Sequence, residues 1–320
     1  MLDGSVRTVL GDIPGEKLGV CQCHEHLFLE MDKSYEISKV LYMDDLKKST
    51  DELRSYREAG GSLVVDCQPV AAGRMAENLI TASRDSGVHI VASTGFHKTV
   101  FYYGDAYIFH RDEQYITDLY RSEIEKGMIS SKQDGYRPLS ACAGVIKTAV
   151  DSGGIVADAT YEKLFSAAAS AAAATGAPVI CHIEQGADAL GVIDFYARRG
   201  ITPERLLICH LDRARYDAVY HKEVLETGAY LEYDTINRTK YLSNEQEIAL
   251  ICRMIEEGYE DKLLLSLDTT NQRLRAYGGD MGLDYILKEF APMLREAGVG
   301  NESILKMQSL NARKALKIKS

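Results

Sequence analysis

Six residues of metal-ligating or activatable type stand in short apolar runs: His24 and His26 in CQCHEHLF, Lys147 in AGVIKTA, His182 in PVICHIE, His210 in LLICHLD and Asp268 in LLLSLDTT. Four imidazoles and a carboxylate form an N/O donor set that suits zinc, with manganese, cobalt or iron as alternatives. Six donors exceed the needs of one tetrahedral ion and match two. A protonated lysine is a poor ligand at neutral pH. Buried beside two cations, Lys147 would be neutral, and a neutral amine can capture CO2 as a carbamate whose two oxygens can bridge two ions. Residues i and i+2 of a strand share a face, so His24 and His26 point together. Cys21 and Cys23 are expected on the opposite face, and Cys181 and Cys209 are likewise expected to turn away from His182 and His210. That parity argues against a cysteine-rich zinc site.

Ligands that arrive one or two per run, from runs spread over the whole chain, need an architecture that brings distant strand ends together. Eight strands are expected near 18–26, 62–67, 89–96, 141–147, 178–183, 206–211, 229–234 and 263–268. Most are continuous apolar runs, as in parallel strands covered by helices. Helices are expected at 44–58, 74–86, 159–174, 187–199, 215–226, 243–257 and 282–297. The alternation predicts an α/β fold, a (β/α)8 TIM barrel over residues 1–320 as one domain, with the site at the C-terminal ends of the strands. An open doubly wound sheet would gather its site at one crevice, and no GxGxxG fingerprint is present. The Ala-rich stretch 165–174 reads as helix. The segment 97–140, rich in Tyr and charge, is long enough to overhang the rim as a lid.

The 320 residues carry a net charge of −10 with 46% hydrophobic and 26% charged residues, which sets nucleic-acid binding aside. The start, MLDGSVRTVLG, has no basic-then-apolar signal region, and no apolar run reaches the ~18 residues of a membrane span. No membrane association is expected. Of the seven cysteines, Cys21, Cys23, Cys142, Cys181 and Cys209 fall in expected strands and read as buried thiols of a reducing compartment, and a cytoplasmic location is expected.

VRTVLGDI, HEHL, GVIKTA, HIEQG, CHLDR, LDTTNQRLRAYGG and the terminal NARKAL together resemble the phosphotriesterase family of the amidohydrolase superfamily, along nearly the full chain. The resemblance implies a binuclear metal barrel. His24, His26 and Asp268 would hold the more buried ion and His182 and His210 the more exposed one. Carbamylated Lys147 would bridge them together with a hydroxide. It also implies that Asp268 takes the proton of the attacking hydroxide and returns it to the leaving alkoxide, and suggests a homodimer. Where phosphotriesterase itself is expected to carry a relay histidine after the seventh-strand aspartate, this chain has Asp234 followed by Thr235. That departure argues against organophosphate triesters, and HLDR and NRTKY are similar to a branch that opens phosphorylated sugar lactones.

The loops after strands seven and eight carry Arg238, Lys240, Tyr241, Arg273, Arg275 and Tyr277, and such loops of barrels often hold a phosphate. Lys240, Arg275 and Tyr277 are the expected clamp. Arg213 would touch the substrate or pair with Asp212. His97, Lys98, Tyr102 and Tyr103 could line the pocket, while His89, His110 and His221 read as structural or surface residues. The predicted activity is hydrolysis of a small anionic substrate, a pentono-1,4-lactone 5-phosphate type lactone. Alternatives are an esterase or phosphoesterase, a lactonase for acyl-homoserine lactones, and a non-catalytic metal-binding protein.

Overall fold

The computed structural model describes residues 4–130 and 138–318. Eight parallel strands run in sequence order around one sheet: β1 Val20–Glu25, β2 Gly61–Asp66, β3 His89–Gly95, β4 Val145–Val150, β5 Val179–Ile183, β6 Leu206–Cys209, β7 Tyr230–Tyr233 and β8 Leu263–Leu265. The sheet is a nearly closed barrel. Its two end strands, β8 and β1, meet at a seam bridged by Asp268 N–H donating to the His24 carbonyl at 3.0 Å. There the Ser266 hydroxyl accepts from Cys23 N at 2.8 Å and His24 N at 3.0 Å.

The outer layer follows from caps and apolar faces. Helices α1 Leu46–Glu58, α2 Ala76–Ser86, α3 Glu113–Glu125, α4 Ala159–Thr175, α5 Ala189–Ala197, α6 Ala218–Glu226 and α7 Asn244–Glu256 wrap the strands. An aspartate side chain caps the N-terminus of α1, α3, α4, α5 and α6 by accepting from a free backbone N–H, and Ser243 and Gln246 form a reciprocal cap on α7. Buried Ala167, Ala168, Ala171 and Ala172 let α4 lie close against its neighbours. Below the strands, a hairpin of Ser5–Thr8 and Gly11–Pro14 and the C-terminal Asn311–Ala315 helix close the floor. There Val6, Ala312 and Leu316 join the barrel interior of Leu63, Val65, Val91, Ile180, Leu207 and Leu264. Among the described residues, no helix is long and apolar enough to cross a membrane.

Three differences from the sequence reading bear on the site. The fourth strand is Val145–Val150, not 141–147, so Lys147 sits inside the strand and deep in the barrel. The excursion 97–140 is not a free-standing lid: it contains α3, whose Ile116, Tyr120 and Ile124 are buried in the outer core. Residues 131–137 of that excursion lie outside the described part. Cys21, Cys23 and Cys209 face the barrel interior, opposite to the simple alternation, whereas Cys181 faces the helices as expected.

Candidate active site

The reversed cysteines and the site share two local irregularities of the backbone. The pairing of β1 with β2 is out of register between Gln22 and Glu25, a bulge-like irregularity that lets Cys23 and His24 both face inward. At the end of β6, His210 adopts a left-handed backbone with φ of 71°, and Asp268 beyond β8 has φ of 49°. Such conformations are uncommon for residues with a Cβ and persist where the surroundings hold them. Here they turn His210 and Asp268 over the mouth of the barrel. Buried Glu25 holds the exit of β8, accepting from Leu267 N at 2.8 Å and Thr269 N at 3.0 Å.

The expected ligands converge. His24 and His210 have ring centroids 4.7 Å apart, and His182 and His210 4.4 Å. His26 Nε2 lies 3.3 Å from Asp268 Oδ1, and His24 Nε2 lies 3.8 Å from the same oxygen. Lys147 is fully buried, with Nζ 3.2 Å from His24 Nε2. Asp234 grips two imidazoles at once, with Oδ2 2.9 Å from His24 Nδ1 and Oδ1 2.6 Å from His210 Nδ1. Its carboxylate leaves the Nε2 atoms of both rings for a ligand, as carboxylates behind metal-bound histidines do. Sequence reading noted Asp234 only as the neighbour of Thr235. Thr235 itself donates from N and Oγ1 to Asp212 Oδ2, at 2.8 and 2.5 Å.

Burial holds His24 and His210 well below the ordinary imidazole range and brings His182 to about 3, so all three are neutral, the form that binds metal. Buried His26 Nδ1 and His182 Nε2 have no formed hydrogen bond. Ligand atoms of His24, His210 and Asp268 lie within 4.8 Å of one another. Neutral imidazoles, a carboxylate and a buried amine fit divalent cations. Burial opposes ionisation of Asp268, but Arg238 and then His26 pull it well below the usual carboxylate range.

Above this cluster opens a cavity of about 220 Å³. Its lining mixes apolar Leu29, Leu41 and Phe101 with the charged Lys98, Glu184, Arg213 and Arg238. Arg213 Nη1 and Arg238 Nη1 each lie 3.1 Å from Asp268 Oδ2. The expected clamp is placed elsewhere. Lys240 is exposed, its amine over the Tyr241 ring at 4.6 Å. Arg275 pairs with Asp284. The Tyr277 hydroxyl is 2.7 Å from Ser49 Oγ and donates to the Asp45 carbonyl at 3.1 Å. None of these three lines the cavity. Arg213 does, with its guanidinium on Asp268, while only its backbone N–H reaches Asp212, at 3.0 Å. His97 and Lys98 also line it, and Tyr102 and Tyr103 do not. His221 is a buried structural group between the Tyr233 hydroxyl and the Leu211 carbonyl.

The model of the phosphotriesterase family matches residues 4–316. The chain belongs to the phosphotriesterase family. A relative from Mycoplasmopsis synoviae, named phospho-furanose lactonase, is 31% identical over 97% of this chain and 91% of its own. A zebrafish (Danio rerio) relative, named N-acetyltaurine hydrolase, is 29% identical over 99% of both chains. The crystal structure of a lactonase from Listeria monocytogenes superposes with a TM-score of 0.89 and 29% identity, covering 99% of this chain and all of that one. This phosphotriesterase-family chain is a hydrolase, and its metal-ligand candidates sit at the mouth of the family's barrel.

Proposed function

We propose that this protein is a metal-dependent lactonase that opens a phosphorylated sugar lactone of the pentono-1,4-lactone 5-phosphate type. The observation that carries the reading is the shared cavity, in which a neutral histidine cluster meets three cationic side chains, Lys98, Arg213 and Arg238. The name of the Mycoplasmopsis relative supports a phosphorylated furanose. His24, His26 and Asp268 would hold one ion and His182 and His210 the other, with Lys147 as a carbamate shared by both. Zinc fits best, and manganese or cobalt would also be accepted. When bound, such ions bring the pKa of a water close to neutrality and polarise a carbonyl.

The residues of the chain supply the rest. Asp234 keeps two imidazoles oriented. Asp268 turns Oδ1 to the histidines, leaving Oδ2 to accept a proton from the attacking water and return it to the departing ring oxygen. Arg213 and Arg238, which cover Oδ2 in the free protein, turn to the substrate phosphate, where a guanidinium offers paired donors. The unpaired cysteines support the reducing, cytoplasmic compartment.

The test is a hydrolysis assay of the metal-loaded protein with matched lactones, with and without a 5-phosphate, and with N-acetyltaurine in the same panel. Strong preference for the phosphorylated lactone is expected. Arg213→Met and Arg238→Met should each raise KM for it about 10–100-fold, the worth of one charge-assisted contact of about 1.5–3 kcal/mol, and raise KM for the unphosphorylated analogue distinctly less, because any effect through Asp268 falls on both substrates alike. A larger effect from Lys240→Met or Arg275→Met would return the phosphate to the loops first expected to hold it. Hydrolysis of N-acetyltaurine alone would replace the lactonase reading with an amidase one.

A further inference from the structure

His24 and His210 share Asp234, but His182 has a different neighbour. Its Nε2 is buried without a formed hydrogen bond, and Glu184 Oε2 lies 3.5 Å from it. Two residues apart where β5 ends, the pair leaves the barrel on one side. Glu184 is itself held in place. Lys98 Nζ donates to the same Oε2 at 2.5 Å, and Gln185 N donates to Oε1 at 3.0 Å. Lys98 stands on the turn after β3 and also lies 3.8 Å from Asp151, just beyond β4. Groups following three successive strands therefore converge behind one imidazole. The ring is confined laterally as well, by His97 at 5.4 Å and His210 at 4.4 Å between centroids.

We propose that Glu184, steadied by Lys98, is the positioning residue for His182. It accepts the Nε2–H and leaves Nδ1 as the nitrogen turned to the ion. A neutral imidazole has one N–H, so the partner of that N–H sets which nitrogen can ligate. Lys98 Nζ and Gln185 N both donate to the Glu184 carboxylate, which fixes it as an acceptor facing the imidazole. Lys98 has a second effect: Glu184 lines the cavity, and Lys98 occupies its carboxylate and keeps it from acting as a competing ligand. Asp234 then backs one ligand of each proposed ion, and Glu184 adds a support that only the ion of His182 and His210 has, a distinction that rests on the two-ion reading above.

The experiment strips the full-length protein, titrates it with Co2+ against a chromophoric chelator, and follows the visible absorption of bound Co2+. Glu184→Leu should weaken one of the two ions about 10–100-fold, change the absorption of that ion and leave the other at its wild-type affinity. Glu184→Gln, which keeps an acceptor oxygen, should recover part of the loss. Lys98→Met should show a smaller loss at the same ion. The metal-free Glu184→Leu protein should unfold at the wild-type temperature. Wild-type affinity for both ions in Glu184→Leu overturns the inference. Equal weakening of both ions, or a lower metal-free unfolding temperature, also overturns it by marking a merely structural role. A wild-type protein that binds fewer than two ions overturns the two-ion reading and this inference with it. Normal binding of two ions, selective weakening in Glu184→Leu and no turnover of any lactone would leave the inference standing and remove only the substrate assignment.

Discussion

Replacing Asp234 by Asn separates what holds the site from what holds the fold. The carboxyl is fully buried and touches His24 Nδ1 at 2.9 Å and His210 Nδ1 at 2.6 Å. With ions on the far nitrogens, both Nδ1 atoms must carry protons, and a carboxylate can accept both. An amide accepts one and presents its own N–H to the other. The loss of one charge-assisted hydrogen bond is about 1.5–3 kcal/mol, or about 10–100-fold in affinity. In the ion-free protein the balance differs. Burial, then the neighbouring Asp212 and Asp268, hold Asp234 well above the usual carboxylate range, which favours the neutral acid, and an amide is a close substitute for that form. Asp234→Asn should therefore shift the ion-free Tm by less than about 2 °C, corresponding to less than about 1 kcal/mol, while the ion-loaded Tm falls distinctly. Chelator competition gives the affinities and calorimetry with and without ions gives the two Tm values. Unchanged affinity for both ions would refute the reasoning, and so would a Tm loss that is equal with and without ions.

Three more outcomes are expected. Reconstitution of the stripped protein should be incomplete in CO2-free buffer and completed by bicarbonate, with a mass gain of one CO2 that Lys147→Met abolishes; full loading without bicarbonate would exclude the carbamate. Burial pushes Glu232 up to about 8, against about 4.3 in an unfolded chain, so the folded state holds the extra proton between those values. Its contribution is thus full below about pH 4.3 and is lost as pH rises, by up to about 1.4 kcal/mol per pH unit, levelling off above pH 8. Glu232→Gln should remove that slope in denaturant titrations of the ion-free protein, and a constant offset from wild type between pH 5 and 8 would contradict it. Finally, Arg74 donates to Glu123 at 2.8 and 2.5 Å and to the Ser93 carbonyl at 2.8 Å, all buried. Arg74→Met should cost about 3–5 kcal/mol by stranding Glu123, and Arg74→Met/Glu123→Leu should cost less than the single change; equal losses would show that the cost is packing.

The barrel was legible because parallel strands buried on both faces leave continuous apolar runs, and five of the six ligand candidates interrupt those runs with residues that have no place in an apolar core. Lys147 was legible as a type but not in depth, because its strand begins at Val145, beyond the close approach of Gly144 to the Arg7 carbonyl. Alternation failed at Cys23 and Cys209, where a register shift and a positive φ at the next residue put two successive side chains inside. Neither event has a glycine or proline to announce it. The helix Glu113–Glu125 was hidden in a segment whose length and tyrosines suggested an overhang. The expected clamp rested on the position and composition of the loops after strands seven and eight and on the resemblance, none of which says which way a loop side chain turns: Arg275 is drawn to Asp284, whereas Arg213 and Arg238 are drawn to Asp268.

The seam between β8 and β1 has a consequence for how the fold breathes. Seven strand junctions are laced by backbone ladders, but this eighth one has Asp268 N–H on the His24 carbonyl and the Ser266 hydroxyl under Cys23 and His24. His24 and Asp268, the residues on either side of the gap, are also two of the candidate ligands. An ion shared between them would act as a further clasp at the one junction held by side-chain bonds in place of a strand ladder. Amide exchange at Cys23, His24 and Asp268 should then slow on metal loading far more than exchange in β4–β7. Chelation would unbutton the cylinder along a single line and not soften it evenly.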